Sequence, residues 1–199
     1  MNEPFLRHTG RVAALPRADV DTDQIIPKQF LKRVERSGFG PALFHDWRFR
    51  PDGNLNLDFE LNRPAAQGAS ILLTGANFGC GSSREHAVWA LREYGFRAIV
   101  APSFADIFFA NCCQNGVVPA RLLEQEVAEL FRRHAAAGGD YRLTVDLEQQ
   151  RVADGLGFST AFALEPYRRE MLLRGLDEIG RTLLVADRIE AYERGREAL

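Results

Sequence analysis

An apolar run of strand length, residues 69–74, feeds straight into the turn Gly75-Ala76-Asn77-Phe78-Gly79-Cys80-Gly81, and a helical pattern follows from Ser82-Ser83-Arg84-Glu85 to about Tyr94. No other stretch constrains the fold as strongly. An apolar run of that length, bounded by a glycine-rich turn and followed by a helical pattern, reads as a strand. Glycine tolerates backbone angles that other residues avoid, so the turn can be tight and can approach a ligand closely. The first amides of the following helix have no partner within it, and the helix dipole adds partial positive charge there. A carboxylate or phosphate suits such a place. Ser82, Ser83 and the forked guanidinium of Arg84 favour an anion over a neutral ligand. The same residues allow a structural reading, because Ser82-x-x-Glu85 is the spacing of a capping box. The two are compatible: Glu85 can cap while a hydroxyl faces the pocket.

The rest of the chain is read around that unit. Residues 11–15 suit a short strand, and residues 97–101 a second one stopped by Pro102. Residues 104–113 form an apolar helix stopped by Asn115-Gly116, with a short strand at Val117-Val118. Leu123, Val127, Leu130 and Phe131 make the apolar stripe of a helix ending at Gly138-Gly139. Tyr141, Leu143, Val145 and Leu147 alternate with polar neighbours, as a half-buried strand does. Glu165-Pro166 opens a further helix with proline in its first turn, and a final amphipathic helix starts near Ala186. Residues 28–40 carry Lys28, Lys32, Arg33 and Arg36 with few apolar anchors, the pattern of a mobile basic loop. The expectation is one α/β domain over residues 1–199, with residues 165–199 as a C-terminal helical extension.

Composition removes several classes of function. Apolar residues make up 46% and charged residues 26% of the chain, a globular balance that argues against disorder. The formal charge, 25 − 27 = −2, comes with no long basic run, so nucleic acid is not an expected partner. The N-terminus lacks the pattern of a signal peptide, and no apolar run approaches the roughly 20 residues that cross a bilayer. No membrane association is expected, and a cytoplasmic location is. Gly75, Gly79 and Gly81 do not fit GxGxxG, no Gly-Lys-Ser/Thr follows them, and there is no GxSxG elbow. Asp19, Asp21 and Asp23 lack the glycine hinge and distant glutamate of an EF-hand, so turn and cap roles are expected and no metal. Cys80, Cys112 and Cys113 form neither a disulfide framework nor paired zinc ligands, and read as reduced thiols.

Two segments carry a resemblance to a known family. Asp21-Thr22-Asp23-Gln24-Ile25-Ile26-Pro27, and Asn77-Phe78-Gly79-Cys80-Gly81-Ser82-Ser83-Arg84-Glu85-His86-Ala87, resemble the small subunits of bacterial isopropylmalate isomerases. They are also similar to the swivelling C-terminal domain of aconitase. Ala105-Asp106-Ile107-Phe108, Asn115-Gly116, Gly175-Leu176-Asp177-Glu178-Ile179-Gly180 and Thr182-Leu183 extend the match in order along the whole chain.

The resemblance implies a swivelling β/β/α domain docked on a larger subunit. That partner would hold a 4Fe–4S cluster acting as a Lewis acid on the leaving hydroxide, with no cofactor bound by this chain. It further implies that Ser82 is the catalytic base, that Ser83 and Arg84 hold a carboxylate of a small dicarboxylate substrate, and that Asp23 belongs to the same pocket. Arg33 is the nearest match to a basic loop residue that contacts substrate in aconitase. The implied reaction removes water from 2-isopropylmalate and returns it one carbon along, through isopropylmaleate, in leucine biosynthesis. Residue chemistry agrees: serine needs an activating environment, and helix-start amides beside Arg84 favour an alkoxide. Adjacent Cys112 and Cys113 cannot supply a dispersed set of cluster ligands, so the chain is expected to be incomplete alone. His86 reads as a scaffold residue ahead of a proton carrier. A homoaconitase or citraconate/maleate-type hydratase subunit is the rival within the superfamily, and a free-standing anion- or RNA-binding module the rival outside it.

Overall fold

The computed structural model describes residues 2–31 and 37–197. Arg33, together with Lys32 and Arg36 of the basic loop, lies outside the described residues. The strands are β1 (Arg7–Leu15), β2 (Ile71–Thr74), β3 (Ala98–Ala101), β4 (Val118–Arg121), β5 (Arg142–Asp146), β6 (Arg151–Ala153) and β7 (Ser159–Ala161). The helices are α1 (Thr22–Ile25), α2 (His45–Arg48), α3 (Glu85–Tyr94), α4 (Asp106–Gln114), α5 (Glu124–Ala136), α6 (Pro166–Arg174), α7 (Glu178–Leu183) and α8 (Ala186–Glu197).

The strands form one sheet in the order β4-β3-β2-β1-β5-β6-β7. β1 through β4 run parallel, and β1 turns the sheet antiparallel through β5, β6 and β7. The long first strand makes both halves possible: Val12 to Leu15 pair with β2, while Arg7 to Arg11 pair with β5. Pro119 sits in β4, the outermost strand of the parallel half, where a missing amide is tolerated.

Successive residues of a strand point to opposite faces, and the two cores follow that alternation. Ala13, Leu15, Leu72, Ile99 and Ala101 enter one core with Ala87, Val88 and Leu91 of α3. Val12, Ile71, Leu73, Val100 and Val118 enter the other with Val127 and Leu130 of α5. α4 reaches both, sending Cys112 to the first core and Cys113 to the second. The strand within the apolar run of residues 69–74 is therefore buried from both sides.

The structure departs from the sequence expectations at several boundaries. β1 begins at Arg7 instead of residue 11, because its polar first half is stabilised by ladder bonds to β5. The short strands β6 and β7 carry little apolar signal and exist by pairing outward from β5. α3 begins at Glu85, three residues later than Ser82. α6, α7 and α8 form the C-terminal helices. α6 packs on α4, whereas α7 and its junction with α8 leave Ile179, Leu183 and Leu184 exposed.

Candidate functional site

The glycine turn and the acidic turn after β1 are joined by backbone bonds. Gly79 N–H donates to the Val20 carbonyl at 2.8 Å, and Thr22 N–H to the Cys80 carbonyl at 2.9 Å. Buried Thr22 adds its hydroxyl, which donates to the Ser82 carbonyl at 2.8 Å. Asp21 and Gln24 cap α1 reciprocally: the Asp21 carboxylate accepts from Gln24 N–H at 2.7 Å, and Gln24 Oε1 from Asp21 N–H at 3.0 Å. The expected cap role of Asp21 is thus realised. Asp19 takes another turn role, accepting from the Asn77 side chain at 2.8 Å.

Glycine is required at one crowded point. Gly79 has φ +77°, and a Cβ there would lie 2.1 Å from the Phe108 ring. The close approach seats α4 directly against the turn.

Two helix starts meet as a result. A cavity of about 260 Å³ is lined by Thr22, Gly79, Gly81, Ser82, Ser83 and Arg84 on one side and by the first turn of α4, from Ala105 to Phe108, on the other. Ser82 and Ser83 are exposed at its edge, and Arg84 is partly buried. The Arg84 guanidinium donates to Asp23 Oδ1, and Lys28 Nζ lies 4.0 Å from Asp23 Oδ2. One carboxylate thus sits between two cations. The structure brings together four of the five residues singled out in sequence, Ser82, Ser83, Arg84 and Asp23; Arg33 is outside the described residues. A larger groove of about 780 Å³, along residues 102–103, 121–126 and 160–163, contains none of them. The smaller cavity is the candidate site, because the cation and the helix-start amides converge there.

The capping box expected from Ser82-x-x-Glu85 is not formed. Arg84 occupies the N-cap of α3 in an extended conformation with no side-chain cap bond, and Glu85 accepts from Asn115 Nδ2 at 2.9 Å instead. His86 packs its ring against Phe39 and Trp89, with centroids 5.2 and 4.7 Å away.

Thr22, Lys28, the α4 start and Asn115 complete the surroundings, and none had been assigned a place in the site from sequence. Thr22, the α4 start and Asn115 did stand within recognised segments, but the partners of Thr22 and Asn115 lie 60 and 30 residues away.

Among the described residues, no three His, Cys, Asp or Glu side chains converge as a metal site. The cysteines do not fit cluster ligation by this chain, since Cys112 and Cys113 are buried in opposite cores and Cys80 stands alone at the turn. Burial, reinforced by the nearby Asp21 and Asp19 carboxylates, raises the Cys80 thiol, and burial pushes Cys113 up to about 12. A suppressed thiolate suits Cys80 to filling space.

Comparison with known proteins agrees with this architecture. The family model described as Aconitase C-terminal domain matches residues 2–125, and LeuD_N matches residues 128–166. The 3-isopropylmalate dehydratase small subunit of Rhodopirellula baltica is 62% identical over 193 residues, covering 96% of this chain and 98% of that protein. Its counterpart from Geobacillus kaustophilus is 58% identical over 192 residues, covering 96% of each. The crystal structure of a 3-isopropylmalate dehydratase chain from Methanocaldococcus jannaschii has a TM-score of 0.65 at 24% identity, covering 92% of this chain and 99% of that one, a likeness of fold. The class is therefore the aconitase C-terminal-type domain. Within it, the chain belongs to the family of 3-isopropylmalate dehydratase small subunits.

Proposed function

We propose that this chain is the small subunit of a two-part hydro-lyase that isomerises 2-isopropylmalate to 3-isopropylmalate in leucine biosynthesis, working in the cytoplasm. The observation that carries the reading is Arg84, held by Asp23 beside two helix starts and next to two exposed serine hydroxyls. Arg84 has five N–H donors in a fixed fork, so a substrate carboxylate can be gripped while Asp23 keeps the fork oriented. Ser83 adds a hydroxyl to the same carboxylate, and Arg33 is a further substrate contact. Ser82 removes the carbon-bound proton as hydroxide departs from the neighbouring carbon, giving isopropylmaleate. Return of a proton and of hydroxide, together one water, with the opposite placement completes the isomerisation. Helix-start amides and Arg84 favour the negative charge that Ser82 has to carry.

The 4Fe–4S cluster belongs, on this reading, to a larger partner subunit, and this chain supplies the base and the carboxylate grip. Residues 1–199 act as one swivelling domain with 165–199 as its helical extension. The direct test is isomerisation of 2-isopropylmalate by this chain alone and after anaerobic mixing with its cluster-bearing partner. Turnover only in the mixture is expected. Turnover by the chain alone would refute the division of labour, and turnover of another hydroxy-diacid in place of isopropylmalate would move the substrate to a homoaconitase or citraconate type.

A further inference from the structure

We infer that Asn115 is a positioning residue, which sets the distance between the two helix starts that form the cavity by clamping Glu85 at the beginning of α3 to the end of α4. The inference rests on the reading of Arg84 as the grip on a substrate carboxylate.

Asn115 is 9% exposed and is the C-cap of α4. All of its side-chain polarity is engaged. Its Oδ1 accepts from Trp89 Nε1 at 2.9 Å, and its Nδ2 donates to Glu85 Oε1 and to the Asn111 carbonyl, both at 2.9 Å. Glu85 and Trp89 stand one turn apart on α3, so the amide grips the first two turns of that helix at once. Asn111 belongs to the last turn of α4, so the same amide fixes the end of the helix whose first turn lines the cavity. Glu85 is the residue after Arg84. A shift at Glu85 therefore moves the guanidinium relative to Ala105 and Asp106 across the cavity. α3 starts with no side-chain cap of its own, which leaves this bond as a lateral tether of its first turn. A primary amide offers two donors, here to Glu85 and the Asn111 carbonyl, and an acceptor to Trp89 in one plane.

The test uses the assembled enzyme and compares KM with kcat for 2-isopropylmalate. Glu85→Gln keeps an acceptor for Asn115 and should leave KM within a factor of about two. Glu85→Ala loses the same charge but also the acceptor, and Asn115→Asp sets two carboxylates face to face. Each of these should raise KM on the order of tenfold or more, because small misplacements of a gripping group are costly. The double variant Asn115→Asp/Glu85→Gln restores a donor opposite the new carboxylate and should recover binding relative to Asn115→Asp. Glu85 is partly exposed, so Glu85→Ala keeps the test open if the Asn115 variant does not fold. An unchanged KM in Glu85→Ala, equal effects of Ala and Gln, or no recovery in the double variant would each overturn the clamp. Arg84→Lys separates the two levels. If it raises KM while Glu85→Ala does not, the clamp alone fails; if it leaves KM unchanged, the reading of Arg84 fails and the clamp with it.

Discussion

The Thr22 hydroxyl donates to the Ser82 carbonyl at 2.8 Å across 60 residues of sequence, and both groups border the same cavity. The bond fixes the backbone that carries the proposed base. Thr22→Val keeps the shape and removes the donor, leaving a carbonyl short of a partner. Such a loss costs about 1–2 kcal/mol. Denaturant unfolding should show a loss of that size, and kcat of the assembled enzyme should fall further than stability alone explains. A variant as active as the parent would mean that the serine loop does not depend on this bond.

Ser82→Ala should lower turnover by about 10²–10⁴-fold, the usual contribution of a positioned acid or base. Docking to the partner should persist, measured by co-elution of the two chains. Near-normal turnover in this variant would remove Ser82 from the chemistry.

Arg84→Lys retains the charge and loses the fork. The expected outcome is a raised KM with a smaller change in kcat, read from steady-state kinetics of the complex. A selective loss of kcat would instead assign Arg84 to the transition state.

Gly79→Ala puts a methyl into the Phe108 ring at a left-handed backbone position. Strain and overpacking together should cost about 3 kcal/mol or more. Thermal unfolding should show a large drop in Tm, and Phe108→Ala, which empties the contested space, should cost less in the Gly79→Ala background than in the parent. Strictly additive losses would place the cost in the backbone angle alone.

His8 gives a pH dependence with a definite sign. Burial, helped by the Arg97 charge, lowers its pKa below the ordinary 6.5, and its Nε2 lies 2.7 Å from Ser70 Oγ. The folded state therefore binds a proton less readily than the unfolded chain. Stability should be full above about pH 6.5 and decline as pH falls from there toward the lowered folded pKa, then level off for this group. His134 is lowered in the same sense, chiefly by burial, and adds to the slope. Unfolding free energies measured between pH 7.5 and pH 5 should slope less in His8→Gln than in the parent. Parallel curves would show that His8 does not contribute.

Residues 69–74, the glycine turn and the helix end near Tyr94, where Gly95 takes φ +120°, were legible from sequence because their signals are local. A run of apolar residues and the backbone freedom of glycine need no knowledge of distant partners. The same holds for the candidates Ser82, Ser83 and Arg84, which stand together in one turn.

Where α3 begins was decided by tertiary structure. Ser82 and Glu85 have the spacing of a local cap, yet Thr22 takes the Ser82 carbonyl and Asn115 takes Glu85. The pairing of Asp23 with Arg84 was likewise settled when the turns after β1 and β2 were zipped side by side by adjacent parallel strands. By itself the sequence determined which segments must be buried, where the chain can turn sharply and which side chains can grip an anion. Only the folded arrangement decided which polar groups meet, because a hydrogen bond or ion pair depends on angstrom-scale distances between residues far apart in the chain. Local propensity carries no information about those distances.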